Sequence, residues 1–341
     1  MENCTLSDNN SASGGFGGGI SNSGTLTLES CTLSGNSASG FGGGGIYNQT
    51  GGTLTLESCT LSGNSVNNVG GAILNQTGGT AALTNCTLSG NSANSGGAIY
   101  NEPGSARLTL ANCTFSGNSA SGFGGGAIGN VGTATLTNCT LSGNSANNGG
   151  AILNDGRATV ENTIIANSPR GRNCSSTSLH SNGHNLDDDA GCGFFNTVDL
   201  SLVPANLAPL GNYGGPTQTY ALCTRAGLPH PDCTEASPAI DAGDDTVTGP
   251  PLTLTTDQRG LPRKAGLHVD IGAYEVQPVC VGDCKDDLQV TVDELLTMVN
   301  IALGNTPLSA CTAGDADGSG DITINEIIAA LNNALNGCTA P

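Results

Sequence analysis

Asp315, Asp317, Ser319, Asp321, Thr323 and Glu326 occupy positions 1, 3, 5, 7, 9 and 12 of one twelve-residue stretch, and Gly320 stands at position 6. That spacing suits a calcium ion. The side chains of Asp315, Asp317 and Ser319, the Asp321 carbonyl, Thr323 (directly or through water) and both oxygens of Glu326 would supply hard oxygen ligands. Gly320 permits the turn that folds them inward. Three carboxylates brought to one point repel unless a cation lies between them. A second stretch, 32 residues earlier, fits less well. Asp283, Asp287, Thr291 and Glu294 take positions 1, 5, 9 and 12, but Lys285 stands at position 3 and Leu288 replaces the glycine. An ammonium group has no lone pair to give and repels a cation. One bound Ca²⁺ is therefore expected, in the second loop.

Each loop leads into a helical period. Leu295, Met298, Val299 and Ala302 recur at three and four, as do Ile327, Ala330, Leu331 and Ala334. Residues 279–341 thus read as a small α-helical calcium-binding module with nine acids and one base, Lys285. So small a unit builds little core, and metal binding should contribute to its folding. Cys280, Cys284, Cys311 and Cys338 allow three pairings, among which the sequence does not choose.

The chain before this module is organised differently. Cys31-Thr32-Leu33-Ser34-Gly35-Asn36 returns, with Phe for Leu once, at Cys59, Cys86, Cys113 and Cys139, and Cys4-Thr5-Leu6-Ser7 is an earlier copy. The steps are 26 to 28 residues, a period that marks stacked coils. Leu26, Leu28, Cys31 and Leu33 alternate with polar residues, which indicates strands. Gly, Asn and Ser clusters between them indicate turns. Each repeat reads as three short strands: Thr-Leu-Thr-Leu, Cys-Thr-Leu-Ser and Gly-Gly-Ala-Ile. Stacking about six of them over residues 1–168 predicts three inward ladders. Leu28, Leu56, Leu83, Leu110, Leu136 and Val160 form one; Leu33, Leu61, Leu88, Phe115, Leu141 and Ile165 another; Ile20, Ile46, Ile73, Ile99, Ile128 and Ile152 the third. In-register asparagines should bond to their copies in the next coil. The repeat cysteines should be buried reduced thiols, because parallel Cβ vectors one strand spacing apart exceed disulfide reach. In the last copy Thr163 takes the cysteine's place. Asn85, Asn112 and Asn138 match a glycosylation sequon, but a turn asparagine before a core cysteine explains them.

Residues 169–278 lose the period and read as the irregular end of the solenoid with a closing cap. Cys174 with Cys192, and Cys223 with Cys233, bracket loops where disulfides suit a secreted protein. The chain opens in mid-repeat without a signal peptide, which predicts a missing first rung and a missing secretion signal.

The repeats resemble right-handed parallel β-helix proteins of the pectin-lyase-like superfamily and the Gly-Gly-Ala-Ile repeats of polymorphic outer-membrane proteins. Asn212-Tyr213-Gly214-Gly215-Pro216-Thr217, Ser237-Pro238-Ala239-Ile240-Asp241-Ala242-Gly243, Asp257-Gln258-Arg259-Gly260 and Asp270-Ile271-Gly272-Ala273-Tyr274-Glu275 together resemble the bacterial choice-of-anchor β-helix family over residues 1–277. The paired loops resemble dockerin-type modules, whose partners are cohesin scaffolds or surfaces. These resemblances imply a mainly β fold, a right-handed parallel β-helix followed by the helical module, and an extracellular or cell-surface bacterial location.

Composition narrows the function. A net charge of −19 without basic clusters excludes nucleic acid as a partner, and no stretch reads as a membrane span. The repeats offer no convergent acid–base set: Glu29 and Glu57 stack as like charges, and no lysine precedes Lys264. His180 and His184, four apart outside a helix, and Asp187, Asp188 and Asp189 are weak metal candidates. Asp257, Arg259, Asp270 and Glu275 read as a structural ion-pair cluster closing the helix end. The expected function is non-catalytic: a β-helix presenting Thr32 and Ser34, Thr60 and Ser62, Thr87 and Ser89, Thr114 and Ser116, Thr140 and Ser142 to a glycan or protein, tethered through the calcium module. The alternatives are a polysaccharide lyase or hydrolase and, through Thr25 and Thr27, an ice-binding face.

Overall fold

The computed structural model describes residues 1–11, 16–176, 179–225, 227–277, 280–285, 289–316 and 319–338. Two compact units divide the chain, Met1–Val276 and Gln277–Pro341.

The first unit is a right-handed parallel β-solenoid. One sheet of nine strands carries the Thr-Leu-Ser words, from Thr5–Ser7 to Leu200–Ser201. A seven-stranded sheet carries Thr25–Glu29 and its copies, and another carries Ile20–Asn22 and its copies. The pairing is in register, so Leu28 lies on Leu56 and Leu83, Leu33 on Leu61, and Ile46 on Ile73. All three predicted ladders form the core, fully buried except at the N-terminal edge, where Ile20 is half-buried. The coils also contain a fourth, five-stranded sheet that the sequence did not announce, with strands as short as Ser37–Ala38 and Ser65–Val66. Small residues at a two-residue strand leave no periodic signature. Coil strands continue beyond residue 168, through Cys174–Ser176, Leu179–Gly183 and Leu186–Asp187.

Two asparagine ladders run through the interior. Along Asn22, Asn48, Asn75, Asn101, Asn130 and Asn154, each Nδ2 donates to the next Oδ1 at 2.6–2.8 Å. Asn36, Asn64, Asn91, Asn118 and Asn144 are joined the same way at 2.9–3.0 Å, and each also donates to a carbonyl of the preceding coil. The amide thereby satisfies backbone groups that a corner would otherwise orphan. A different asparagine marks another corner: Asn85, Asn112, Asn138 and Asn162 adopt φ of 48–55°, as do Ser30 and Ser58 near 50°. Short polar side chains tolerate that left-handed conformation best after glycine.

The six repeat cysteines are free thiols, five of them buried. The amide of Cys31 points at Cys59 Sγ (3.4 Å), and that of Cys59 at Cys86 Sγ (3.4 Å). Thr163 continues this ladder, its hydroxyl accepting from the Cys139 amide at 3.2 Å. Burial pushes the Cys86, Cys113 and Cys139 thiols up, which keeps them protonated and inert.

Among the described residues, those from 204 to 276 do not close the solenoid's end. They form a cap along its flank, over the outer face of the Thr-Leu-Ser sheet. Ile164 and Ala166 replace the outward Thr and Ser of earlier coils and pack there against Leu222, Ala239 and Ile271. A disulfide joins Cys174 to Cys192, and another joins Cys223 to Cys233.

The second unit holds α1 (Val292–Ala302) and α2 (Ile324–Asn336). Disulfides Cys280–Cys338 and Cys284–Cys311 settle the pairing that sequence left open. Met298, Ile301, Val290, Ile322 and Ala330 form its core with these cystines. Val290 and Ile322 are buried together, and no strand is assigned at either among the described residues.

Candidate functional site

The two loops of the second unit share one design. Glu326 Oε1 accepts from the Ala316 amide (2.7 Å), and Oε2 from the Thr323 amide (2.7 Å) and hydroxyl (3.0 Å). Glu294 repeats this with the Cys284 amide (3.1 Å), the Thr291 amide (2.8 Å) and the Thr291 hydroxyl (2.7 Å). Both glutamates are buried. Burial works against the Glu294 charge, but Thr291, Lys285 and the Cys284 amide together hold it below the ordinary carboxylate value. Asp315 accepts from the Ser319 and Gly320 amides at 2.9 Å each, so the loop folds back on its first residue. Ser319 Oγ donates to the Asp321 carbonyl at 3.2 Å. Asp317, and in the first loop Asp287 and Leu288, lie outside the described residues. Asp315, Ser319, Asp321, Thr323 and Glu326 are thus on one turn, and the chemistry of this oxygen set fits a calcium ion.

The helices that follow bury one side only. On α1 and at the residue that caps its C-terminus, Val292, Leu296, Val299 and Leu303 are 37–70% exposed; on α2, Ile324, Ile328, Leu331 and Leu335 are 46–73% exposed. The stripes have identical spacing, i, i+4, i+7 and i+11, and each stands at the same place after its loop. The helical period alone assigns Val299 and Leu331 to the inner face. That period fixes the angular width of an apolar stripe but not which part of a wide stripe is covered.

The cap disposes of half of the proposed Thr/Ser face. Thr87, Thr114, Ser116, Thr140 and Ser142 are buried, whereas Thr32, Ser34, Thr60, Ser62 and Ser89 are not. Gln258, fully buried, accepts from Thr114 Oγ1 (2.6 Å) and donates to Thr87 Oγ1 and Thr217 Oγ1 (2.9 Å each). The Ala273 amide donates to Thr140 Oγ1 (3.0 Å), and Ser116 Oγ meets Tyr220 OH (2.5 Å). Asn112 and Asn138 are buried too, so the sequon there is a structural motif.

Asp257, Arg259, Asp270 and Glu275 do converge, on the flank rather than at the end, with Arg263 added. Arg259 pairs with Asp257 at 2.7 Å and lies 3.7 Å over the Tyr274 ring. Arg263, fully buried, donates to Asn112 Oδ1 (2.7 Å) and to the Gly272 and Ala273 carbonyls (3.0 and 3.1 Å), with Glu275 at 3.7 Å. Burial, and then mutual repulsion, pushes Glu275 up; burial pushes Asp270 up. Their carboxylates also accept backbone amides of Ala265, Asp270, Asp241 and Val276. These groups tie the cap together and bolt it to the coil. Sequence reasoning missed Arg263; its only signal was its place three residues after Gly260. His184 binds the Ala242 carbonyl at 2.7 Å.

A second surface lies on the outer face of the Ile-x-Asn sheet. Ser21, Tyr47, Leu74, Tyr100, Gly129 and Leu153 stack there in register. Phe16, Phe41 and Phe123 project beside them, 53–73% exposed, and Phe16 stacks on Tyr47 at 5.3 Å. Tyr100, Phe123, Val131, Leu153 and Asp155 line a cavity of about 260 Å³. Burial and the charges of Glu102 and Asp155 push the Tyr100 hydroxyl up, so it stays a hydrogen-bond donor.

The profile of the right handed beta helix region matches residues 1–115, and that of the Chlamydia polymorphic membrane protein repeat matches residues 138–155. No curated protein and no solved structure matches the chain. No helix among the described residues is long and apolar enough to cross a membrane.

Proposed function

We propose that the protein is a non-catalytic secreted or cell-surface β-helix protein that binds a glycan or another protein through its solenoid and is held in place by its C-terminal module. The observation that carries this reading is the pair of equivalent exposed apolar stripes on α1 and α2. Eight large apolar side chains in so small a unit are a docking surface, since monomeric proteins rarely leave such patches open. Bound calcium holds the loops that aim these helices. Resemblance to dockerin-type modules supports a cohesin-like or surface partner.

Calcium titration of the chain by calorimetry tests the module. Glu326→Ala is expected to weaken its site strongly, by about a hundredfold through loss of the bidentate ligand, and Glu294→Ala to matter much less. The double substitution Leu296→Glu, Ile328→Glu should release the chain from producing cells into the medium at least about tenfold more than wild type, as loss of two interface anchors implies. A variant that stays cell-bound removes the tether from the proposal.

The Tyr100 cavity joins aromatic faces to a carboxylate, a combination that suits a sugar's apolar C–H faces and its hydroxyls. A glycan array probed with the whole chain is expected to give hits that Tyr100→Ala lowers about tenfold, the loss of one stacked ring. Hits unaffected by that change would place the ligand elsewhere on the solenoid.

A further inference from the structure

The inward Leu33 ladder ends abnormally. Every coil up to Ile165 places an aliphatic or aromatic side chain there, but the next position in register is Asp187, fully buried, and the one after it is Ser201. Asp188 and Asp189 bring their carboxylates to the same point: one oxygen from each of the three lies within 4.8 Å of the others. Backbone amides of Asn167, Asn173, Gly191 and Cys192 donate to these carboxylates at 2.7–2.9 Å. No basic side chain forms an ion pair with any of them among the described residues.

Two neighbours are left unsatisfied. Asn173 is fully buried and aimed into the cluster, its Nδ2 lying 2.8 Å from Asp187 Oδ1, 2.6 Å from Asp188 Oδ1 and 2.9 Å from the Ile165 carbonyl. Three acceptors thus crowd a nitrogen with two protons, while Asn173 Oδ1 has no partner at all. The buried Ser201 Oγ, beneath Asp187, has none either. Native proteins rarely leave such groups orphaned without an unseen water or ion. The amides around the cluster carry only partial charges, which do not neutralise three carboxylates. Turned over about its own bond, the Asn173 amide would present an oxygen to the same point instead of its crowded nitrogen.

We propose that Asp187, Asp188, Asp189 and the Asn173 amide oxygen, with Ser201 Oγ beneath them, bind a hard divalent cation of calcium size inside the C-terminal end of the solenoid. All the ligands are oxygen, which excludes soft-metal preference. Oxygens on opposite sides of a calcium ion, at about 2.3–2.6 Å each, stand about 5 Å apart, close to the spread seen here, whereas magnesium demands a tighter set. The ion would balance the buried charge in the core, where desolvation pushes the Asp187 carboxyl up. Asp188 also lines a cavity of about 360 Å³ with Asn167 and Asp232, which gives an entry path.

The test is calcium binding to the whole chain in a Glu294→Ala, Glu326→Ala background, which silences the C-terminal loops. About one Ca²⁺ per chain should remain after chelator stripping and reloading. Adding Asp188→Asn, a half-buried position where folding should survive, is expected to weaken it about a hundredfold by removing one charged ligand. Calcium should also raise the solenoid's thermal midpoint, and Asp188→Asn should abolish that rise. No binding in the background variant, or binding unchanged by Asp188→Asn, overturns the proposal. Wild type and background variant binding the same single ion, lost with Asp188→Asn, would uphold this site and sink the C-terminal one.

Discussion

Arg263→Met is expected to detach the cap from the solenoid at a cost of about 3–5 kcal/mol, the range for breaking a buried charge pair. Methionine fills a similar volume, so the loss is electrical rather than steric. Asn112 Oδ1 and the Gly272 and Ala273 carbonyls all lose their guanidinium donor, and Glu275 loses its nearest cation. Burial already lowers the tendency of Arg263 to hold its proton, and the surrounding Glu275, Asp257 and Asp270 oppose that. Without the arginine, those acids face one another. Limited proteolysis should then cut within residues 203–276, and Thr114 and Thr140 should become exposed while the coils persist. Wild-type resistance to protease in the Met variant would mean that the apolar contacts of Ile164, Leu222 and Ile271 hold the cap alone.

Asn91→Leu should be comparably damaging for a different reason. Asn91 accepts the Asn64 amide (2.9 Å) and Asn64 Nδ2 (3.0 Å), and donates to Asn118 Oδ1 (2.9 Å) and the Leu61 carbonyl (3.0 Å). Leucine is of similar size but satisfies none of these. Each buried group left without a partner costs about 1–3 kcal/mol, so a loss of at least about 3 kcal/mol is expected in a urea melt. Asn9, the exposed end of the same ladder, donates to Asn36 Oδ1 at 2.8 Å, and water can replace it. Asn9→Ala should therefore stay within about 0.5 kcal/mol, the usual range for surface changes. Equal losses at the two positions would show that the ladder is not the stabilising element.

The ladders were readable because stacking turns one repeated word into one column of contacts. Leu33 and Leu61 need no fold knowledge to be placed together once the period is seen. The cap was not readable because Thr114 and Ser116 suit either water or a buried partner, and the partners, Gln258 and Tyr220, lie more than a hundred residues away. A signal was present in Ile164 and Ala166, apolar where earlier coils carry Thr and Ser. The position of Asp187 was hidden similarly: the irregular sequence after residue 168 obscures the register that places it beneath Ile165. The loop ligands Asp315 and Glu326 were legible from spacing, because coordination geometry is local. The outward turn of the helical stripes was not, because it depends on how α1 and α2 share Met298 and the cystines.

The corner asparagines have a further consequence. From the start of each Thr25-type strand, past the cysteine, to Asn36 and its copies, spacing is the same in every complete coil, and those residues stay in register. Coil length varies only in the stretches between Asn36 and Ile46, between Ile46 and Thr53, and in their counterparts. Phe41 and Phe123 lie in the longer versions of the first stretch. The solenoid therefore separates inheritance from invention. A clasped segment keeps the coils in step while two slack segments gain or lose residues freely, so recognition can diversify one coil at a time without the stack losing count.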